Sequence, residues 1–473
     1  MEVLLHDSRA IVVMLDFLRK NIGMEIPLFL YMLTSFLKFP VFQNLMYEKV
    51  CLARHNQDFT FCSNVTAYHN DKTIQADANH FYFLSSVVLV LPSLFSTLAL
   101  GAVSDVWSIK VPLMIPFLGL IMCTTNYIIQ TAYMGLSVFL LLISDAVFGI
   151  CGGFISVIST TLSYGVKTTS TSRRSVRIAG MEGAIGLGGT IGYATSGIIR
   201  EALGYSYTFL LMLVLQVIAF FYILIFAKDV EKFASQDEDR SRGPLSRIVE
   251  KSLTVIADYW RLLTTERKFR LMLVMNLLAL GVELLIFAGL MDIQYSYLRF
   301  KLGWGDKQYG WFSGLQYGVT TASVLILYPF LYIRGMSDGI LGCLGLTAKM
   351  ISLIMLAFVL NSAMAFSVIV FTSLNRFVAT GFRSFISGLI QTNEQGKMFS
   401  LIALLEGVTG LLASAIYNNL YPKTLSFFPG LFHLLSAALL IIPLTILGIS
   451  DLRVKASSEL ENDNESTTAG TLN

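Results

Sequence analysis

Two arginines in the second half of the sequence, Arg376 and Arg383, have the chemistry and the spacing of an anion-binding site. A separation of seven residues would place both on one face of a helix, about 10 Å apart along its axis. A guanidinium stays protonated and presents a planar fork of N–H groups that fits a carboxylate. The pair therefore predicts a pocket for an organic anion, and ion pairing with nearby acids is the alternative.

Four carboxyl groups stand in similarly apolar surroundings, namely Asp145, Glu182, Glu283 and Glu406. Charged groups are costly within a bilayer, so each one is a candidate functional residue. A desolvated carboxyl can load protons in one compartment and release them in another of different pH. We expect these acids to couple protons to transport. The alternative is mutual neutralisation with the cations of the same stretches, which are Lys38, Lys349, Arg376 and Arg383.

These residues lie in about a dozen apolar stretches of roughly 20 residues, each long enough to cross a bilayer as a helix. The composition agrees, because 55% of the residues are hydrophobic and only 14% are charged. We predict an all-α membrane protein with twelve transmembrane helices, called spans 1 to 12 below. Their expected ranges are 26–46, 81–103, 111–133, 137–162, 178–198, 207–227, 270–293, 310–331, 340–360, 365–386, 398–419 and 430–450.

The longest polar connection, 228–269, divides the spans into two groups of six. We therefore expect an N-terminal segment at 1–25, a six-helix bundle at 26–227, a cytoplasmic linker at 228–269 and a second bundle at 270–450. The polar residues 451–473 have a composition typical of a disordered tail.

Short motifs recur between the two halves. GAVSDVWSIK (101–110) has a counterpart in GMSDG (335–339), and Glu182-Gly183 has one in Glu406-Gly407. The two offsets are similar, which indicates a duplicated six-helix unit. Parallel repeats of this kind are found in major facilitator transporters, where the substrate binds at the midplane between the halves.

The chain resembles the solute-carrier 46 family of the major facilitator superfamily. The matching stretches include TNEQGKMFSLIALLEG (392–407) and RIAGMEGAIGLGGTIGYATSGIIREALGY (177–205). The resemblance implies the major facilitator fold and supports Glu182 as a proton-coupling residue. It also implies that Arg383 is the family's arginine of span 10 and that the loop with Asp105 takes part in gating.

The sequence departs from the family at three places. Asp105 is followed by Val106-Trp107-Ser108-Ile109-Lys110, without the usual Gly and Arg of the gating loop. Span 7 lacks the family's intramembrane histidine and offers Glu283 and Asp292 instead. The acid of span 4, Asp145, precedes the Gly-rich segment in which similar proteins carry theirs. These departures give little support to folate as the substrate.

Lys and Arg residues are concentrated in loops that face one side if the N-terminus is cytoplasmic, as the positive-inside rule requires. Both termini are then cytoplasmic, and the loop 48–80 faces an oxidising space. Its triplet Asn64-Val65-Thr66 is an N-glycosylation acceptor, while Asn464 lies in the tail and should remain bare. Cys51 and Cys62 share this loop, either as a local disulfide or as two free thiols.

We predict a secondary active transporter that carries an organic anion with protons by alternating access. The alternatives are a receptor or scaffold on the same fold, favoured by the altered Asp105 loop, and a facilitator without proton coupling. No enzyme motif, metal cluster or cofactor loop is apparent, so we expect no enzymatic activity, metal or cofactor. The expected partners are the substrate, protons and lipid but no nucleic acid, in the plasma membrane or in the lysosomal or endosomal membrane.

Overall fold

The fold is described from a computed structural model, which covers residues 23–55, 58–106, 108–169, 174–227, 254, 257, 259–391 and 394–470. Helices and the turns between them account for the regular structure of these residues, which contain no strand. Eleven helical stretches in them are long and apolar enough to cross a membrane. The chain is therefore an all-helical multi-pass membrane protein, as its composition predicts.

The helices follow the expected order of spans. Spans 1, 2 and 3 are Glu25–Arg54, Lys72–Val106 and Lys110–Ala132, and the short helix Phe59–Cys62 lies between the first two. Span 4 combines Val138–Leu140, Leu141–Ile150 and Gly153–Lys167, and spans 5 and 6 share the run Arg174–Phe226. Spans 7, 8 and 9 are Arg270–Leu302, then Asp306–Ala322 with Ser323–Leu327 and Tyr328–Ile333, then Asp338–Ala357. Span 10 combines Ser362–Ser367, Ile369–Thr372 and Asn375–Gly388, span 11 is Gln395–Thr424, and span 12 is Leu431–Leu439 with Ile441–Gly470.

The difference between eleven stretches and twelve predicted spans arises at Gly204. The apolar helix Gly180–Phe226 is 47 residues long, enough for two crossings of about 20 residues. Gly204 interrupts its helical geometry with φ 73° and ψ 175°. Glycine adopts such angles without the clash of a Cβ atom, so the chain can turn there. Spans 5 and 6 are thus the two arms on either side of this residue.

The described chain forms two compact units. The first contains residues 1–255 and 298–318, and the second contains 256–297 and 319–473. The sequence-based division at 228–269 assigned all of 270–450 to the second bundle. In the structure, the end of span 7 and the first half of span 8 pack with the first unit instead. Most of the linker itself lies outside the described residues.

A row of glycines explains why the start of span 8 packs against span 5. Gly310, Gly314 and Gly318 repeat at four-residue intervals, so they form one stripe of the helix. A Cβ atom at Gly314 would lie 2.8 Å from Ala194, and one at Gly310 would lie 2.6 Å from the carbonyl oxygen of Tyr193. Small residues allow two backbones to approach this closely in a membrane. We call this contact the glycine seam.

The second unit contains a small apolar core formed by Tyr328, Leu341 and Phe377, from spans 8, 9 and 10. Close helix packing recurs there, since a Cβ atom at Gly381 would lie 2.8 Å from the Cα atom of Gly342. Spans 9 and 10 are therefore held at short range, which fixes the helix Asn375–Gly388 that carries both arginines.

The two ends of the chain are described to different extents. Of the predicted N-terminal segment, residues 1–22 lie outside the described residues. The last helix continues to Gly470, so the structure has a helix where the sequence predicted a disordered tail. Extending an existing helix is easier than nucleating one, and Lys455, Ala456 and Glu459 favour helix.

Candidate substrate and proton site

Arg383 and Glu406 form an ion pair in the second unit. The guanidinium Nη2 atom of Arg383 donates to Glu406 Oε2 at 3.2 Å, joining the helix Asn375–Gly388 to span 11. The side chains are 42% and 48% exposed, respectively. The pair thus brings together one residue expected to bind substrate and one expected to couple protons. Both side chains are partly exposed, so the protein does not enclose the pair completely.

Glu283 and Lys349 form a second pair with a different environment. Lys349 Nζ lies 2.6 Å from Glu283 Oε1, and both side chains are only 5% exposed. Phe287 packs beside the ammonium, with its ring centroid 5.4 Å from Nζ. The structure therefore gives Glu283 a buried cationic partner, the arrangement considered as the alternative to proton coupling.

Arg376 lies in the same uninterrupted helix as Arg383, so the seven-residue spacing holds in the structure. Its side chain is half-buried and it interacts with neighbouring groups.

Asp292 is a carboxyl that received little weight in the sequence interpretation. It lies on span 7, and Asn418 Nδ2 of span 11 donates to its Oδ2 atom at 2.9 Å. Ser414, one turn before Asn418, accepts a hydrogen bond from the same Nδ2 atom at 3.0 Å. Ser414 and Asn418 share one helix face at a spacing of four residues. Two polar residues on one face of an apolar span are a pattern from which this contact could have been predicted.

Asp145 lies in the first unit and is 3% exposed. Ser85 Oγ donates to its Oδ2 atom at 2.7 Å, and the Tyr127 hydroxyl lies 3.4 Å from Oδ1. Lys38 interacts electrostatically with this carboxyl, and its Nζ atom lies 5.6 Å from the Tyr127 ring centroid. The charges of Lys38 and Asp145 therefore offset one another within the first bundle.

Glu182 is exposed on the span 5 arm. Among the described residues, no basic side chain forms an ion pair with it. It therefore differs from Glu406, its counterpart in the internal repeat, which is bound to an arginine.

The two repeat-related loops are described to different extents. Asp105 lies on the last turn of the helix Lys72–Val106, and its side chain is outside the described part of the structure. In the second repeat, Asp338 accepts hydrogen bonds from Tyr328 Oη and Ser384 Oγ, both at 2.7 Å. This acid therefore ties the start of span 9 to spans 8 and 10, a contact that the repeat alone did not predict.

The loop after span 1 is closed by a disulfide between Cys51 and Cys62, the first of the two states that the sequence left open. Asp58 caps the short helix that carries Cys62. The backbone N–H of Phe61 donates to Asp58 Oδ1 at 3.1 Å, which holds the pKa of this carboxyl below its usual range. Asn64 is exposed two residues after the disulfide. The glycosylation triplet is thus presented on a braced loop.

Arg299, at the end of span 7, forms a hydrogen bond to this loop within the first unit. The residue is completely buried, and its Nη2 atom donates to the carbonyl oxygen of Val65 at 2.7 Å. Its guanidinium lies 4.1 Å from the Tyr47 ring centroid and 5.0 Å from that of Tyr68. Stacking on two rings offsets part of the cost of burying this charge.

Two ion pairs continue the contact between spans 5 and 8. Arg200 binds Asp306 through two hydrogen bonds of 2.6 Å, and Lys307 Nζ lies 2.5 Å from Glu201 Oε2. Asp306 is 1% exposed. The sequence interpretation missed these pairs, because partners about 106 residues apart are identified only by the fold.

A model of the Major Facilitator Superfamily matches residues 28–414. The chain is 25% identical over 437 residues to the human lysosomal proton-coupled steroid conjugate and bile acid symporter SLC46A3, covering 90% of this chain and 93% of that protein. It is 26% identical over 400 residues to the rat proton-coupled folate transporter, covering 84% and 83%. The crystal structure of the human organic anion transporter MFSD10 has the same fold, with a TM-score of 0.63 and 14% identity over 90% of this chain and 97% of that one. The chain therefore belongs to the Major Facilitator Superfamily, as a relative of its solute-carrier 46 transporters.

Proposed function

We propose that the protein is a proton-coupled symporter that moves an organic anion across the membrane by alternating access. The observation that carries this proposal is the accessible pair of Arg383 and Glu406. A binding site for an anion needs a fixed positive charge, and a site for a proton needs a carboxyl that can lose its partner. One ion pair supplies both.

The charges of this pair favour joint movement of anion and proton. With Glu406 ionised, the pair is neutral and Arg383 is occupied. When Glu406 takes a proton, the guanidinium is freed for the carboxylate of a substrate, and the site is neutral again. Carrying an unbalanced charge through the bilayer is costly, so the two neutral states are favoured. One proton would then accompany each negative charge that binds Arg383.

Glu182 is proposed as a further proton-coupling residue, on the strength of its family resemblance and its freedom from an ion pair within the described residues. Arg376 is proposed to extend the positive surface beside Arg383. It lies on the same face of the helix, about 10 Å away along the axis. We assign Asp145 and Asp105 supporting roles in the first bundle, as a charge held against Lys38 and as part of a gating loop. The buried Glu283 is proposed as a structural partner of Lys349.

The substrate class follows from the relatives. Their names specify steroid conjugates, bile acids and folate as cargo, and all of these can carry negative charge. The activity that we propose is transport of such an organic anion rather than catalysis. We further propose a plasma-membrane or lysosomal location with both termini in the cytoplasm.

The test is uptake into proteoliposomes across an imposed pH gradient, with a panel of folates, steroid conjugates, bile acids and peptidoglycan fragments. We expect at least one anion to accumulate when the outside is acidic. Arg383→Ala should abolish this uptake, and Arg383→Lys should recover only part of it, because the planar fork is lost.

Arg334→Ala is the matched control, since Arg334 is an exposed arginine that packs on Phe330. It should leave uptake unchanged. Wild-type kinetics in Arg383→Ala would remove this residue from the binding site. A panel without any uptake would favour the receptor or scaffold alternative, and uptake that ignores pH would favour a facilitator.

A further inference from the structure

Asp292 differs from Asp145, Glu283 and Glu406 in having no cationic partner among the described residues. Glu283 pairs with Lys349, Glu406 pairs with Arg383, and Asp145 is balanced by Lys38. No basic side chain among the described residues lies within ion-pair distance of Asp292. Its hydrogen-bond donor is the neutral amide of Asn418, which also bonds Ser414. An ionised Asp292 would therefore be an uncompensated charge within the membrane, which is costly.

The surroundings of Asp292 suit both of its protonation states. Asn418 is 1% exposed, and its Oδ1 atom has no hydrogen-bond partner in the described structure, although its Nδ2 atom bonds both Asp292 and Ser414 Oγ at 2.9 and 3.0 Å. An amide offers donors on one side and an acceptor on the other, and a hydroxyl can do either. Asn418 can thus donate to a carboxylate or, after rotation of its amide, accept from a carboxylic acid.

Glu283 and Glu406 lack partners of this kind. Lys349 and Arg383 have only N–H donors, so they stabilise the ionised form of their partners. They cannot accept a hydrogen bond from the O–H group of a protonated carboxyl. Loss of the charge on Glu283 would leave the ammonium of Lys349 buried without a partner. Asp292 can be protonated without leaving a buried cation behind.

The following titratable groups on spans 7, 11 and 12 contact residues other than Asp292. On span 11, the Tyr417 ring packs against Gly289, and its hydroxyl bonds Ser436 Oγ at 2.8 Å. On span 12, the ring of buried His433 lies 4.3 Å from that of Tyr297. On span 7 itself, Glu283 is paired with Lys349, and Arg299 is bound to the loop after span 1.

We propose that Asp292 is a proton-binding carboxyl of the transport cycle, with Ser414 and Asn418 positioning it. It takes one proton from the acidic side before the substrate crosses and returns it on the other side. The carboxyl is half-buried, so a proton can reach it while it remains largely shielded. The coupling role rests on the proposed function, whereas proton binding by Asp292 does not.

Proton binding is tested on the purified protein in lipid by infrared difference spectroscopy between acidic and alkaline pH. A protonated carboxyl has a C=O stretching band that disappears on ionisation. Asp292→Asn keeps the shape of the side chain and removes its titration, so one such band should be lost. Asp77→Asn, an exposed acid paired with Arg54, is the matched control and should retain that band. An unchanged band in Asp292→Asn overturns the proposal.

The coupling role is tested in proteoliposomes. Accumulation driven by an acidic exterior should fall at least about tenfold in Asp292→Asn, while exchange of substrate at equal pH on both sides persists. Asp292→Glu restores a titratable carboxyl and should recover the dependence on pH. Wild-type dependence on pH in Asp292→Asn would contradict coupling. If the wild type shows the band but no accumulation, the proposed function fails and proton binding by Asp292 stands.

Discussion

Two ion pairs of similar composition have different consequences because they differ in burial. Glu283 and Lys349 are shielded from solvent on spans 7 and 9, whereas Arg383 and Glu406 are about half exposed on spans 10 and 11. A buried pair holds its partners because separation would strand a charge in an apolar medium. An accessible pair can exchange one partner for a ligand. The first pair is therefore suited to stability and the second to binding.

Single substitutions in the buried pair should destabilise the protein strongly. Lys349→Met leaves Glu283 as a buried unpaired charge, and Glu283→Leu does the same to Lys349, so each should cost about 3–5 kcal/mol. The double variant removes both charges and should recover most of that loss. Thermal unfolding of the purified proteins in detergent measures the three variants against the wild type. Equal losses in the single and double variants would show that charge stranding is not the cause.

At the scale of elements, the glycine seam sets the distance between spans 5 and 8. It lies beside two ion pairs, Arg200 with Asp306 and Lys307 with Glu201. The backbone contact is possible only where side chains are absent, and the charged pairs fix its register. Together they position the segment 298–318 on the first unit.

Gly314→Ala should disturb this contact, since the new Cβ atom would meet both the side chain and the backbone of Ala194 at less than 3.0 Å. Overpacking of this kind costs about 1–3 kcal/mol. Gly410→Ala on span 11 is the matched control, because nothing lies within 4 Å of its Cβ position. A fall in thermal stability confined to Gly314→Ala is the expected result. Equal stability of the two variants would mean that spans 5 and 8 separate at little cost.

The sequence predicted the elements far better than their contacts. Hydrophobic length identified every span, because a bilayer imposes the same requirement on each. The break at Gly204 could be placed only within a few residues, since either arm can be extended as a helix. Arg383 and Glu406 were both selected as ionisable residues in apolar stretches, but their contact depends on how spans 10 and 11 pack. Asp292 was underrated because its partners, Ser414 and Asn418, carry no charge.

At the scale of the whole molecule, the two sequence repeats carry different charges. The acid of the first repeat, Glu182, is exposed, while its counterpart Glu406 is bound to Arg383. Both arginines expected to bind substrate lie in the second half. We infer that the proposed anion site lies in the second half, on span 10, while acids proposed to bind protons occur in both halves.

The topology of the whole chain is tested by its two glycosylation triplets. Asn64 is exposed on the disulfide-closed loop, and we expect a glycan there after expression in a eukaryotic host. Asn464 lies beyond Ser457, where the membrane-length stretch of the last helix ends, and should remain unmodified if both termini are cytoplasmic. A shift in electrophoretic mobility that is removed by glycosidase, and lost in Asn64→Gln but not in Asn464→Gln, is the expected outcome. A glycan on Asn464 would contradict the twelve-span arrangement.

The packing of residues 298–318 with the first unit also bears on how the polypeptide tolerates cleavage. Cleavage of a peptide bond within 228–253 would produce an N-terminal and a C-terminal fragment. The C-terminal fragment nevertheless keeps Arg299, Asp306 and the glycines of the seam, whose partners Val65, Arg200 and Ala194 belong to the N-terminal fragment. The nicked protein would therefore stay together as a noncovalent heterodimer, and the two halves could be supplied as separate genes.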